Sequence, residues 1–337
     1  MKKEEEIDFV LAWVDGNDKE WQKDFQKYKQ EKGDKRTARF RDWDNLQYLF
    51  RAFEEFTPWV HKIYFITYGH LPKWLNTNHP KLVIVNHKDY MDEKNLPVFN
   101  SHPIEINMHR IQGLSEKFVY FNDDTFILQP LHKNIFFKKN LPVNMAVSTI
   151  MHNGDLAHII LNNIITINKY TKKRKFKIIF SSPFKWFHPL YGLKMLNTIL
   201  LLFWSRFTGF KNYHHPQPFL KNTFKELWNK EEILLNKVSA SKIRNNSDVN
   251  QYLFRYWQFI TGNFYPDSLK NTNKKRKYKD IKNKESANNI ANDISSKKFQ
   301  MYCPNDALID NKDFIFCKHK INEALDNILP NKSSFEI

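Results

Sequence analysis

Side chains able to do chemistry fall in six short stretches of this 337-residue chain. In "FNDD" (121–124), Asp123 and Asp124 stand side by side where an apolar run stops. Adjacent carboxylates repel unless a cation or hydrogen bonds compensate them. A divalent ion that holds a diphosphate uses such hard oxygen ligands. An acidic turn is the plainer reading of the same residues. The stretch "DGND" (Asp15, Gly16, Asn17, Asp18) is also good turn chemistry. As a nucleotide-binding loop, it would use Gly16 for close backbone approach and an aspartate for a ribose hydroxyl or a metal-bound water.

Arg39 and Arg41 alternate in "RFRDWDN", ahead of a helical pattern. Two guanidinium groups near a positive helix N-terminus suit a diphosphate, and exposed arginines at such places are also common. In "FNSHPIEINMHRIQG", Pro103 suits a first helical turn, and Glu105 and His109, four apart, would then share a face. That pair is a metal half-site or a hydrogen-bonded structural pair. Arg110 would hold phosphate or brace the sheet edge, and Asn100 joins these residues among the candidate substrate contacts. Last come His214 and His215 of "YHHPQP", otherwise a plain surface loop, and Arg244 of "KIRNNSD". A histidine titrates near neutrality and can take a hydroxyl proton. An arginine can offset charge on a transferring phosphoryl group.

Elements able to position these residues are legible in the first 130 positions. "IDFVLAWV", "KIYFITYG", "KLVIVNH" and "KFVYFN" are short, β-branched or aromatic, and read as strands. Between the first two, Leu46, Leu49, Phe50, Phe53 and Phe56 recur at helical spacing, with Asp44 as the expected N-cap and Pro58 as the stop. Strands separated by helices predict an α/β fold on a mostly parallel, Rossmann-like sheet, whose ligands sit beyond the strand C-termini. "WVDGND" and "FNDD" both fall at such ends. Further on, "PFLKNTFKELWN" and "SDVNQYLFRYWQFITG" read as helices, the second with Asp248 as cap and Gly262 as stop. Residues 270–298 read as a polar, loop-rich segment, and "KFQMYCPNDALID" as one more strand with an acidic end. The expected organisation is one catalytic domain built from residues 1–161 and 214–337, interrupted by a basic aromatic insert at 162–213.

The formal charge is +17, from 53 Lys and Arg against 36 Asp and Glu. It favours anionic partners without choosing among them. A nucleic-acid binder would leave the acidic strand ends unexplained, so no nucleic-acid partner is expected. Two cysteines give neither a disulfide framework nor a paired metal spacing, and a reducing compartment is the default. The start lacks signal-peptide character, and the apolar run Met195 to Phe207 is too short to span a bilayer. The insert is read either as a lid packed over the sheet or as a monotopic membrane contact. Localisation is expected in the cytoplasm, with a peripheral contact at the inner face of the membrane as the open alternative.

In order along the chain, "IDFVLAWVDGND", "RFRDWDNLQYLFRAFEEF" through "KFVYFNDDTFI", "HHPQPFLKNTFKELW" with "KIRNNSDVNQYLFRYW", and "MYCPND" resemble the four characteristic regions of the Stealth family. The resemblance implies a nucleotide-sugar transferase α/β fold and a sugar-1-phosphate transferase. It would use a UDP-sugar donor, a glycan or polysaccharide acceptor and Mg²⁺ or Mn²⁺, in capsule or surface polysaccharide synthesis. It further implies that Asp18 and Asp124 are the acids of the first two regions, His214 and Arg244 the catalytic pair of the third, and Asp306 the acid of the fourth. On that basis Asp123, Asp124 and Asp306 are expected to hold the metal, with Asp15, Gly16, Asp18, Arg39 and Arg41 around the donor. Pro304 stands where an apolar residue is usual. A conventional metal-dependent glycosyltransferase that releases UDP is the runner-up.

Overall fold

The computed structural model describes residues 6–28, 33, 40–151, 154, 156–171, 174–268, 276–308 and 312–337. Four parallel strands, β1 (Ile7–Ala12), β2 (Ile63–Thr67), β3 (Leu82–Asn86) and β4 (Lys117–Asn122), form the centre in the order β3-β2-β1-β4. The edge strand β8 (Gln217–Leu220) pairs antiparallel with β4. The mostly parallel α/β sheet expected from the alternating apolar runs is therefore present.

Side-chain alternation divides this sheet between two cores. Phe9, Leu11, Phe65, Val119 and Phe121 face one cluster, covered by α2 (Leu46–Phe56), α11 (Lys284–Ser295) and α12 (Phe314–Ile328). Val10, Ile66, Phe118 and Tyr120 face the other. There α3 (Ser101–Asn107), α4 (Ala157–Thr171), α8 (Lys221–Lys230), α9 (Glu232–Ser239) and α10 (Tyr252–Thr261) pack. Period-two alternation dictates this two-sided burial, because successive strand side chains point to opposite faces. The short helix α1 (Lys19–Lys27) brings Trp21 and Phe25 against Phe99 and Ile243.

Two small sheets flank the central one. In the first, β10 (Arg276–Ile281) runs parallel to β11 (Met301–Asp306), which pairs antiparallel with β5 (Phe126–Ile127). In the second lie β6 (Phe137–Lys138), β7 (Leu141–Asn144) and β9 (Tyr265–Pro266). The first of these corrects the expectation of a loop-rich stretch at 270–298. Residues 276–281 make a strand, and Ala287, Ile290, Ala291 and Ile294 recur at helical spacing on the buried side of α11. Lysines and asparagines on the outer face dilute that stripe in composition without disturbing its period.

Other local expectations are also corrected. Asp44 does not cap α2: the N-cap is Asn45, Asp44 takes φ 46°, and its carboxylate meets Lys318. Asp248 does not cap α10, which begins at Tyr252 after Gln251. Gln217–Leu220 is strand, not the start of a helix. Gly262 does stop α10, with φ 74° in the left-handed region that glycine adopts without steric cost. Residues 157–171 form one helix, α4, so residue 161 lies inside it. The remainder of the insert folds as α5 (Lys175–Ser181), α6 (Pro183–Trp186), α7 (Met195–Leu200) and short 3₁₀ turns.

Candidate functional site

The strand order places β1 between β2 and β4, and the chain leaves the β1–β2–β3 run to return on the other side of β1. Such a reversal opens a crevice at the strand C-termini. Ala12 and Asn122 are paired there as the last residues of β1 and β4. A cleft of about 1310 Å³ begins at this point, lined by Asn122, Asp123, Asp124, His214, Arg244 and Asp306 among others.

Asp123 and Asp124 occupy the turn that passes from β4 to β5, with the Thr125 amide donating to the Asn122 carbonyl at 3.3 Å. The pair therefore stands at the junction of the central sheet with the β10-β11-β5 sheet. His214 arrives from β8. The register Lys117↔Leu220 to Tyr120↔Gln217, extended three residues, sets 214 level with 123. His214 Nε2 then lies 3.2 Å from Asp124 Oδ2 and 3.1 Å from the Asn122 side-chain amide. Both side chains keep about a third of their surface open (35% and 29%).

Electrostatics differentiate the two aspartates. Burial alone would raise the Asp124 carboxyl, but His214 and hydrogen bonds from His214, Cys303 and Thr125 hold it below the usual range. Burial likewise works against the charged His214 ring, and Asp124 outweighs it, raising the histidine. Asp123 reaches the cleft's water, yet desolvation by the surrounding walls and the charge of Asp124 push it up to about 7. Burial pushes the Cys303 thiol well up as well, so it acts as a hydrogen-bond donor to Asp124.

Donor atoms of Asp124, His214 and Cys303 lie within 4.8 Å of one another. A protonated buried thiol is a poor ligand. Asp124 favours the charged His214 ring, which has no lone pair to give, so carboxylate oxygens are the better donors. An acid beside another acid, with its proton held to about pH 7, is the condition a divalent cation relieves. Asp123 and Asp124 therefore fit a hard divalent ion. Asp306 is engaged differently: Oδ2 accepts from Arg41 Nη1 at 2.8 Å and Trp43 Nε1 at 3.3 Å, and Oδ1 accepts from the Leu308 amide at 3.0 Å. Its carboxylate holds Arg41 at the cleft, where the guanidinium also lies over Phe314 at 4.8 Å. Arg39 lies outside the described residues.

Several predicted residues are not brought to the cleft lining. Asp18 caps α1, accepting from the Trp21 amide at 2.8 Å. The Asp15 amide donates to His70 Nε2 at 2.8 Å. Gly16 is pressed on Phe40, whose carbonyl would lie 2.1 Å from an added Cβ; its close approach is to the chain itself. The expected Glu105–His109 pair does not form. The helix α3 ends at Asn107 and tightens into a 3₁₀ turn at Met108, which carries His109 between the Phe224 and Trp228 rings. Burial there pushes His109 down to about 3. Arg110 lies over Trp228 at 4.2 Å, also away from the cleft. Glu105 stays on the lining and accepts from the Gln251 amide at 3.1 Å.

Asp248, fully buried, is the main element that sequence reasoning misassigned. It accepts from Asn100 Nδ2 (2.8 Å), Ser241 Oγ (2.9 Å) and the Asn245 amide (3.0 Å), and pairs with His102 Nδ1 (3.0 Å). This ties the start of α3 to the loop that carries Arg244, whose Nη2 donates to Ser101 Oγ at 3.1 Å. Asn100 is thereby a positioning residue, since its amide is spent on Asp248 and on capping α3. Asp42, Tyr278, Asp280 and Asn305 also line the cleft and were not anticipated. Tyr278 and Asp280 sit on β10, in the segment read as loop, where charged residues leave no period-two apolar signal.

Comparisons with known proteins bear on the family and the reaction class. Residues 5–33 match the Stealth protein CR1, conserved region 1, and residues 39–145 match the Stealth protein CR2, conserved region 2. The chain is 41% identical over 343 residues to the capsular polysaccharide phosphotransferase WcwK of Streptococcus pneumoniae, covering 100% of this chain and 99% of that one. It is 36% identical over 333 residues to the exopolysaccharide phosphotransferase cps2G of Lactiplantibacillus plantarum, covering 98% and 96%. It is also 36% identical over 345 residues to the receptor polysaccharide phosphotransferase WefC of Streptococcus oralis, covering 98% and 99%. Among solved structures, the bifunctional glycosyltransferase WbbM aligns at a TM-score of 0.36 and 12% identity, over 97% of this chain and 50% of that one, too loosely to carry an argument. The chain belongs to the Stealth family and is an enzyme of the phosphotransferase class.

Proposed function

We propose that this Stealth-family chain transfers a sugar-1-phosphate, of a hexose or N-acetylhexosamine, from a UDP-sugar to a hydroxyl of a glycan acceptor in capsular or surface polysaccharide synthesis. The observation that carries the reading is the His214–Asp124 pair beside Asp123 at the strand C-termini. Near-full-length similarity to capsular and exopolysaccharide phosphotransferases supports the reaction class.

In this reaction the acceptor oxygen forms a bond to the sugar-proximal phosphorus, and the bond from that phosphorus to the oxygen of UMP breaks. The sugar's anomeric C–O bond is untouched. The neutral His214 ring takes the acceptor proton, and Asp124, 3.2 Å from Nε2, stabilises the imidazolium that forms. Arg244 and Arg41 set guanidinium groups at the cleft for the phosphate oxygens, Arg41 being aimed by Asp306. Mg²⁺ or Mn²⁺, held by Asp123 and Asp124, would supply the positive charge that offsets the diphosphate.

The test is donor labelled at the sugar-proximal phosphorus, incubated with acceptor glycan. Label incorporated into the glycan with release of UMP is the expected result. Release of UDP with no label transferred would overturn the reading and favour a conventional glycosyltransferase.

A further inference from the structure

We propose that the outer face of residues 161–206 is a docking surface for an anionic lipid bilayer. Of the 17 large apolar side chains exposed among the described residues, 12 lie between Leu161 and Trp204. Phe184 is 83% exposed, Phe203 81%, Leu193 75% and Leu200 68%. Single exposed apolar residues are ordinary, whereas this concentration in one segment, with Phe176 stacked on Phe180 at 6.1 Å, points to an interaction surface.

The face is built to stay open rather than to fold inward. Trp186 is fully buried and stacks on Phe207 at 5.5 Å, among Phe210, Phe259 and Phe264. Lys185 Nζ donates to the Gly262 carbonyl at 2.7 Å, and Tyr191 Oη to the Lys185 carbonyl at 2.7 Å. Lys175, buried, donates to the Trp204 and Arg206 carbonyls at 2.9 and 3.3 Å and closes the turn after α7. These inward contacts use the insert's polar anchors and leave Phe176 and Phe180 of α5, Phe184 of α6 and Leu200 of α7 turned to solvent.

Charge decides the occupant. Residues 156–225 contain 12 Lys and Arg and not one Asp or Glu. Arg174, Lys177 and Arg206 are exposed beside the apolar residues. A second copy of the chain would set two cationic surfaces against each other, whereas an anionic bilayer meets both the apolar and the cationic groups. Among the described residues no helix is long and apolar enough to cross a membrane, so the contact lies in the interface plane. The chain runs from this face through the Ser148↔Phe210 bridge to His214, which links the surface directly to the cleft.

The test is flotation of the full chain with phosphatidylcholine vesicles, with and without phosphatidylglycerol, at about 0.1 M salt. Co-flotation with the anionic vesicles, and much less with the neutral ones, is expected. Phe184→Ser/Leu193→Ser/Phe203→Ser should weaken binding about 100-fold. Lys177→Glu/Arg206→Glu should abolish the preference for phosphatidylglycerol with the apolar residues intact. Wild-type protein that stays unbound, a triple variant that binds like wild type, or a dimer in light scattering that the triple variant dissolves would each overturn the proposal. Binding is read without turnover, so its failure is separable from failure of the phosphotransfer reading.

Discussion

The cleft and the outer face of residues 161–206 have opposite electrostatic character within one strongly basic chain. Among the described residues lining the cleft, six carboxylates (Asp42, Glu105, Asp123, Asp124, Asp280, Asp306) face two guanidinium groups, Arg41 and Arg244. The insert and its flanks, residues 156–225, hold 12 cations and no acid. A net charge of +17 therefore describes neither surface. A dianionic diphosphate entering the cleft meets repulsion unless added positive charge compensates it, which is a physical reason to expect a divalent cation there. The helical face needs none, because its own lysines and arginines attract anionic headgroups.

Breaking the cleft should produce the largest effect. Asp124→Asn keeps the side chain's shape and removes both the partner of His214 and a metal-ligating charge. UMP release should fall about 10³- to 10⁴-fold, with vesicle binding unchanged. Loss of lipid binding in the same variant would show that the two regions are coupled. Asp306→Asn should cost about 10- to 100-fold, mostly in KM for the donor, because it loosens Arg41 rather than removing it. A kcat loss equal to that of Asp124→Asn would instead make Asp306 a direct metal ligand.

The third prediction concerns proton linkage. Asp123 protonates near pH 7 in the folded chain against an ordinary value of 3.8. The folded state therefore binds more protons between those values, and metal-free stability falls as pH rises from about 4 to 7. Asp123→Asn should melt higher than wild type at pH 8 without metal, and equally at pH 4. Added Mg²⁺ should raise the melting temperature of wild type at pH 8 and leave the variant nearly unmoved. A wild-type minus variant difference that does not change with pH would show that Asp123 carries no such strain. The smallest effect belongs to the helical face: Phe184→Ser/Leu193→Ser/Phe203→Ser should change turnover of water-soluble substrates by less than about 2-fold. A large loss would mean the face is part of the cleft.

The strands were legible because short β-branched and aromatic runs, buried on both faces, are local signals, and β1 to β4 each announce themselves within six residues. The acidic pair after β4 was legible as a strand end, whereas Asp15 and Asp18 after β1 do not line the cleft. Tertiary context overrode other local readings. A helix that stops at Asn107 undid the i,i+4 relation of Glu105 and His109. The neighbours of Asp248 come from residues 100, 102, 241 and 245, and no cap rule could have collected them. The strand β10 was hidden by its lysines, with Arg276 and Ile281 as its two buried residues.

By itself the sequence determined that a parallel α/β sheet would carry an acidic pair at a strand end, because side-chain period and turn chemistry act over a few residues. Tertiary structure alone decided what that pair would touch. His214 reaches Asp124 across 90 positions through the register of an edge strand, and Arg41 reaches Asp306 across 265 through a second sheet. Such contacts follow from how whole elements pack, a property that no local pattern contains. The same packing left the insert's apolar side chains facing outward once Trp186 and Lys175 had taken the inward positions.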